Sequence, residues 1–287
     1  MRKDIARRAR RGFTLIELLV GVVLFAIVGA ALTKLLTVQG RFFDRQGMAN
    51  AARNVSRASL NRVVSDFRMI EATGAIIAAT STTLDLRIPY AIGVECADNS
   101  GLTHITLLPV DSTTYANSSF YGYAWRSATT GAYTYVEAGG TQQQNGDPAI
   151  CAGVRITSVP GGKVVGVQPT LPVNAGLGTP VFLYERVKYE LKASVAVPGK
   201  IGLWRTVVRP NGNSTEELVA PFANTAKWRF FTLQGGATAQ DNPPANLADT
   251  RGLELHLDGL SEYAAPGQSA SESAPFTTAV FFKNRTN

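Results

Sequence analysis

The sequence predicts an α+β protein in which one long N-terminal helix carries a β-rich head of antiparallel sheet. No proline occurs between Phe13 and Gly74, whereas from residue 75 onward short runs of β-type residues alternate with turn residues. A helix of about 60 residues, roughly 90 Å long, is therefore allowed before the head. The 287-residue chain has 45% hydrophobic and 17% charged residues, a composition that suits a globular domain joined to an apolar segment.

Most of the net positive charge lies at the N-terminus. The formal charge of the chain is +7, and the first twelve residues carry six basic side chains against the single acid Asp4, so the remainder of the chain carries +2. The high isoelectric point is therefore a property of the N-terminal segment. Because so little net positive charge remains outside that segment, a nucleic-acid partner is disfavoured for the protein as a whole.

A long apolar run follows this basic segment. Residues 13–33 contain one charged residue, Glu17, and a helix of 21 residues spans roughly 30 Å, the thickness of a bilayer's hydrocarbon core. Because the basic residues precede the run, we expect the N-terminus in the cytoplasm and the chain beyond about residue 36 outside it. Such a run is compatible with a cleaved secretory signal, a plain membrane anchor or a precursor cut just before the helix. Val28–Ala30 would suit a signal cleavage, but Glu17 and the unbroken helical pattern argue against it.

The string RGFTLIELLV, Arg11–Val20, resembles the processing and methylation motif of type IV pilins and type II secretion pseudopilins. In that family a basic leader ends in Gly and is followed by Phe, three further residues, Glu and an apolar helix. The resemblance implies that a prepilin peptidase cuts after Gly12 and that Phe13 becomes the N-methylated first residue. It also implies that Glu17 is an assembly contact. A glycine lets the backbone lie close to the peptidase, and a carboxylate in lipid needs a partner, which the N-terminal amine of a neighbouring subunit could supply.

Beyond Leu36 the helical pattern becomes amphipathic. One face carries five apolar residues that we expect to pack on the head: Leu60, Val63, Val64, Phe67 and Ile70. Arg62 and Asp66 form a candidate i,i+4 ion pair, and Gly74 is the expected end of the helix. The predicted organisation is a leader at 1–12, a transmembrane half-helix at 13–36, an amphipathic half-helix at 37–74 and the head at 75–287.

The head contains twelve predicted strands separated by turn residues. They are Thr82–Tyr90, Leu102–Val110, Phe120–Arg126, Ala132–Val136, Gly153–Ser158, Lys163–Gln168, Val181–Ala193, Ile201–Val208, Glu217–Val219, Lys227–Leu233, Leu253–Asp258 and Thr277–Lys283. Two segments, Gly139–Asp147 and Gly235–Asn246, are predicted to be mobile loops. If the head binds a ligand, these loops are where we expect it.

Short strings at the end of the long helix and in the head resemble the PilW/PulJ type of minor pilin and the J-type pseudopilin. They are Leu60–Gly74, Val187–Leu191, Gly202–Arg205 and Phe276–Arg285. This resemblance implies a minor subunit at or near the filament tip that primes assembly, first in the inner membrane and then in a pilus or pseudopilus. Its partners would be other pilin or pseudopilin subunits, a prepilin peptidase and methyltransferase, and an inner-membrane assembly platform. A major pilin, an adhesin and a DNA-uptake module of the same filament class remain open alternatives.

The remaining chemically distinctive residues are two cysteines and two histidines. Cys96 and Cys151 form no CxxC motif and are a candidate disulfide in an exported head, although two buried thiols are the alternative. By chain entropy, a bridge closing a loop of 55 residues would stabilise the fold by about 4 kcal/mol. His104 and His256 lie in strand-like runs with no nucleophile, metal or phosphate-binding motif beside them. We therefore expect no catalytic site, no metal and no cofactor.

Overall fold

The structure is a computed structural model, and it describes residues 13–70, 73–99, 101–127, 129, 131–137, 144–145, 148–153, 161–172, 175–233 and 235–282. The predicted leader, with Gly12, lies outside the described residues. Within them, one long N-terminal helix packs against an antiparallel β-rich head, which confirms the predicted α+β class.

The long helix, α1, spans Leu15–Arg68 and contains 54 residues. It ends before the predicted stop at Gly74, because the chain turns at Met69 and buries Ile70 against the head. Gly74 instead lies in the turn that leads into the first strand, with a φ of 80° that favours glycine. A Cβ there would come within 2.9 Å of the Tyr135 ring, so the close packing of the turn also requires glycine.

Thirteen strands in the described residues form one antiparallel sheet. They are β1 (Ile76–Ala79), β2 (Thr83–Asn99), β3 (Leu102–Leu107), β4 (Gly122–Arg126), β5 (Tyr133–Glu137), β6 (Gln144–Asn145), β7 (Lys163–Val167), β8 (Pro180–Ala193), β9 (Ile201–Val208), β10 (Ser214–Phe222), β11 (Lys227–Thr232), β12 (Thr250–Ala264) and β13 (Ser271–Phe281). A second helix, α2, spans Pro109–Asn117, and short 3-10 turns occur at Pro148–Cys151 and Leu247–Asp249.

Two long strands, β2 and β8, join the two halves of the head. They pair with each other from Thr83 opposite Glu190 to Val94 opposite Pro180. Near α1 the sheet continues from β8 through β9, β10 and β12, with β11 and β13 also paired to β12. Away from α1, β2 pairs with β3 and then β7 and β6, while β8 pairs with β4 and β5 follows. The head therefore has a helix-proximal and a helix-distal half.

Each half has its own hydrophobic core. The proximal core packs Val63 and Phe67 of α1 against the inner face of the sheet, where the Phe67 ring lies 5.7 Å from that of Trp228. The distal core includes Ile105, Tyr123 and Leu183 among its buried side chains. Because β2 and β8 contribute to both cores, the position of the distal half depends on how α1 seats the proximal half.

Most of the predicted strands are present, with differences at their ends. The strand predicted at Leu102–Val110 stops at Leu107, since Pro109 occupies the first turn of α2, where proline is favoured. Neither α2 nor β1 was predicted, because both are short and lack a long periodic pattern. Most of the predicted strand Gly153–Ser158 lies outside the described residues.

The two predicted mobile loops have different outcomes. Gly235–Asn246 is held to the sheet, since Phe230 and Gln240 exchange backbone hydrogen bonds and Asp241 Oδ1 accepts from Arg229 Nε at 2.8 Å. Bonds to a neighbouring strand thus tether this predicted loop, while its mobility stays a prediction. Most of Gly139–Asp147 lies outside the described residues.

Candidate assembly site

The N-terminal end of α1 is closed by a capping box between Thr14 and Glu17. The Glu17 backbone N–H donates to Thr14 Oγ1 at 3.3 Å, while the Glu17 carboxylate accepts from the Thr14 backbone N–H at 3.0 Å and from its hydroxyl at 2.9 Å. Such a box satisfies donors that a helix end otherwise leaves unpaired. The Glu17 carboxylate therefore already has local hydrogen bonds before a neighbouring subunit contributes any contact. The spacing Thr-x-x-Glu could have predicted this role for Thr14.

The first half of α1 presents an apolar surface on all sides. α1 is the one helix in the described ranges that is long and apolar enough to cross a membrane, and the head covers none of its most apolar stretch. Phe13 is 85% exposed, and large apolar side chains remain exposed as far as Phe43. The hydroxyls of Thr33 and Thr37 donate to the carbonyls of Gly29 and Thr33 within the helix. These internal bonds suit an environment without water, either lipid or neighbouring helices.

The second half of α1 seats the helix on the sheet. Ala52 and Ser56 meet β12 at Gly259, whose N–H donates to Ser56 Oγ at 3.1 Å. A Cβ on Gly259 would lie 2.3 Å from the Ala52 carbonyl oxygen, so only glycine allows this close approach. Further along, Val63, Phe67 and Ile70 of the predicted stripe are buried and Val64 is half-buried. The side chain of Leu60 lies outside the described residues.

A group of polar side chains ties the C-terminal end of α1 to the sheet. Asp66 accepts from the Tyr189 hydroxyl at 2.5 Å and from Arg205 Nε at 3.3 Å. Arg205 is 5% exposed and reaches Glu185 on its other side at 3.6 Å. Burial by itself lowers the pKa of Arg205, but its acidic and phenolic neighbours raise it on balance. The predicted pair of Arg62 and Asp66 is also present, at 3.8 Å.

The two cysteines are neighbours in the distal half of the head. The structure joins Cys96 of β2 to Cys151 of a 3-10 turn as a disulfide, with their Cα atoms 5.4 Å apart. That separation lies within the range a disulfide needs. The bridge would connect the end of β2 to the chain between β6 and β7.

The two histidines lie apart from each other. His104 is buried in β3, and its Nδ1 has no hydrogen-bond partner among the described residues. His256 in β12 contacts Thr277 at 3.2 Å and Asp258 at 3.4 Å. Within the part of the chain that the structure describes, no three His, Cys, Asp or Glu side chains are grouped to hold a metal ion.

One surface of the head places arginines over tyrosine rings. Arg87 lies 5.1 Å from the Tyr135 ring and Arg186 lies 5.4 Å from the Tyr121 ring. Clustered basic and aromatic residues are typical of nucleic-acid binding. Each of these arginines, however, forms an ion pair with a carboxylate: Arg87 with Glu137 at 2.6 Å and Arg186 with Asp85 at 2.7 Å. The surface is therefore largely neutralised and does not favour DNA.

Comparison with known proteins gives a match at the N-terminus. Residues 7–33 match the family model described as the prokaryotic N-terminal methylation motif. No curated protein and no solved structure matches the chain. The matched residues cover the second half of the basic segment, Phe13, Glu17 and the apolar start of α1.

The motif and the fold together define the class of protein. The chain has the N-terminal methylation motif of the type IV pilin and pseudopilin family at the start of an apolar helix whose second half carries an antiparallel head, so it is pilin-like in motif and in fold. Proteins of this family are structural subunits rather than enzymes. Their prepilins lie in the inner membrane, are processed by a prepilin peptidase and assemble with other pilins.

Proposed function

We propose that this protein is a minor subunit of the PilW/PulJ type that primes a type IV pilus or type II secretion pseudopilus at or near its tip. The observation that carries the proposal is one helix with two different halves: an apolar half that nothing covers, and a half that packs tightly on a large head. Of the two halves of the helix, the uncovered one presents its apolar surface to neighbouring subunits. The strings resembling PilW/PulJ proteins support the minor role.

Each segment of the chain has its own role in this proposal. The leader, 1–12, directs insertion and is cut after Gly12, and 13–36 holds the subunit in the inner membrane. The following half-helix, 37–74, leaves the membrane and joins the head, 75–287, with tight packing that begins at Ala52. The apolar half then exchanges lipid for the helices of other subunits, while the assembly platform drives the movement.

Glu17 is the proposed specific contact in this exchange. The carboxylate lies one helical turn from the new N-terminus at Phe13, so it could face the methylated amine of an adjacent subunit. Desolvation makes an isolated carboxylate unfavourable in an apolar layer, and an ammonium partner offsets that penalty. The capping box holds the carboxylate at the start of the helix while leaving its charge available.

Three variants separate the charge of Glu17 from its capping role. Gln at position 17 can still complete a capping box, so Glu17→Gln removes the charge alone, whereas Thr14→Val removes the cap and leaves the charge. Glu17→Val removes both. We expect wild-type membrane insertion and cleavage in all three, a sharp fall in filament incorporation for the two Glu17 variants, and near wild-type incorporation for Thr14→Val. The measurement is immunoblotting of sheared filaments against the membrane fraction.

The contradicting outcomes are equally specific. Wild-type incorporation of Glu17→Gln would show that the charge is not the assembly contact. If Thr14→Val reduces filament incorporation as much as Glu17→Val does, the defect comes from the lost helix cap and not from the lost charge. Subunit abundance separates the minor role from that of a major pilin, since a priming subunit would be scarce in purified filaments.

A further inference from the structure

Three basic side chains follow the apolar run of α1 and share one face of the helix. They are Lys34, Arg41 and Arg45, all of them exposed, and we call them the basic stripe. At 3.6 residues per turn their positions fall within about 40° of one another around the helix axis, with the acid Asp44 about a quarter turn away. In the part of the chain that the structure describes, none of the three basic side chains has a hydrogen bond or an ion pair. The basic stripe is therefore free to bind an anion from outside the chain.

The basic stripe lies on the side of α1 that faces the head. Further along the helix, the buried residues Ala52, Ser56 and Val63 fall within about 40° of the centre of the stripe. The turn between β12 and β13 approaches the same face at Arg41, since a Cβ on Gly267 would lie 4.0 Å from Arg41 Cζ. Any surface that binds the stripe therefore also meets this turn of the head.

The position of the stripe along α1 corresponds to a membrane surface. Lys34 directly follows the apolar run 13–33, and Arg41 and Arg45 lie about 12 and 18 Å beyond the end of that run along the helix axis. The polar layer of a bilayer is about 5–7 Å thick on each side. Helical side chains point toward the N-terminus of their helix, so both arginines extend back toward this layer. Lys34 therefore lies in the layer, and the arginines lie within or close to the Debye length of about 8 Å from it.

Apolar side chains flank the basic stripe. Phe42 and Phe43 are 56% and 67% exposed, and Val38, Arg41, Phe42 and Arg45 line a surface cavity of about 300 Å³. Aromatic rings are enriched where a membrane meets water, and long basic side chains there lay their apolar stems along lipid while the charged ends stay in the polar layer. The composition of this stretch therefore matches its depth.

We propose that the basic stripe binds the phosphate groups of anionic phospholipids at the outer surface of the inner membrane. The inference rests on the membrane-inserted stage of the proposed function. An arginine guanidinium can donate two parallel hydrogen bonds to a phosphate, and lysine contributes a point charge. Anionic lipids are favoured over zwitterionic ones because only they carry a net charge that balances three cations.

The role of this contact is to hold the head at the bilayer until assembly begins. Because the stripe and the β12–β13 turn lie on the same side of α1, lipid bound to the stripe places that turn at the membrane surface. Movement of the subunit into a filament then has to break the contact with lipid. Lipid binding therefore opposes release of a subunit that has no neighbour to join.

The test is the lipid selectivity of the full chain reconstituted in phosphatidylcholine vesicles. Electron paramagnetic resonance measures the fraction of a spin-labelled lipid that the protein immobilises, with phosphatidylglycerol or phosphatidylcholine as the label. We expect a preference for phosphatidylglycerol that declines as the ionic strength rises. Lys34→Gln, Arg41→Gln and Arg45→Gln together should reduce this preference at least about threefold. The basic leader is present in both proteins, so the difference between them isolates the stripe.

The matched control is Arg53→Gln combined with Arg57→Gln. Both arginines are exposed on α1, but they lie about 30 Å or more beyond the end of the apolar run. This control should keep the wild-type preference for phosphatidylglycerol, although it removes positive charge from the same helix.

Two outcomes would overturn the proposal, and a third would overturn more than the proposal. The first is an unchanged preference in the triple variant, and the second is an equal loss in the control. If the triple variant keeps its lipid selectivity but no longer enters filaments, the stripe binds carboxylates of a neighbouring subunit instead of lipid. Alkaline carbonate extraction reports membrane insertion separately: a wild-type chain that carbonate strips from the vesicles would contradict the membrane stage of the proposed function as well.

Discussion

At the scale of single residues, the structure uses carboxylates in three different environments. Glu17 lies at an exposed helix end and is bonded by Thr14. Asp66 lies between a helix and a sheet and is bonded by Tyr189 and Arg205. Glu95 is buried with an oxygen that no described donor reaches. Because the cost of removing a carboxylate depends on the partners that it leaves unpaired, these three acids should respond differently to substitution.

The Glu95 environment predicts an unusual pH dependence. The pKa is raised from 4.5 to about 7 in the folded state, so the protonated form is favoured by folding. Its contribution to stability is fully present below about pH 4.5 and is lost as the pH rises through about 7. Wild-type protein should therefore lose stability between pH 5 and 8 relative to Glu95→Gln, measured by urea unfolding. Parallel pH profiles of the two proteins would contradict the assignment.

At the scale of elements, the junction between α1 and the head determines how the filament carries the head. Gly259 allows α1 to approach β12 closely, and the Phe67, Tyr189 and Trp228 rings pack together beneath the helix. Glu185 extends the polar group from Arg205 to the loop before β4, where it accepts from the Ser119 N–H. The helix is thus bonded, through side chains, to both halves of the head.

Arg205 is the central residue of this junction. Arg205→Ala would leave the half-buried carboxylates of Asp66 and Glu185 without the buried cation that they share, and such a loss costs about 3 kcal/mol. We expect that decrease in the free energy of unfolding by urea. The matched control, Arg209→Ala, removes an exposed arginine just after β9 and should change little. Equal effects of the two substitutions would contradict a specific role for the buried arginine.

The sequence predicts best those features whose residues lie close together along the chain. The leader, Phe13, Glu17 and the apolar run lie within one segment, and the stripe ending at Phe67 and Ile70 follows helical spacing. The sequence is least informative where the fold joins distant residues: Asp66 and Arg205 are 139 positions apart. The register shift of β2 between Glu95 and Ala97 is likewise not indicated by composition.

At the scale of the whole molecule, α1 packs against one half of the head, and a disulfide links two segments of the other half. The bridge of Cys96 with Cys151 belongs to the distal half, where the sheet is remote from the packing of α1. We expect both thiols to be oxidised in the exported protein, detected by non-reducing peptide mapping. Replacing both cysteines by alanine should cost up to about 4 kcal/mol of stability by chain entropy, with α1 still seated. Two free thiols in the native protein would remove this expectation without affecting the assembly proposal.

The central claim is that this chain is processed as a prepilin and that the mature protein begins at Phe13. Intact mass and N-terminal sequencing of the protein from its native membrane and filament fractions test it directly. The account predicts a mature chain that begins with N-methyl-Phe13, and a precursor that stays uncut when Gly12→Val blocks the cleavage site. A mature chain beginning near Ala31, as after signal-peptide removal, or a chain that keeps its first twelve residues in the filament, would contradict it.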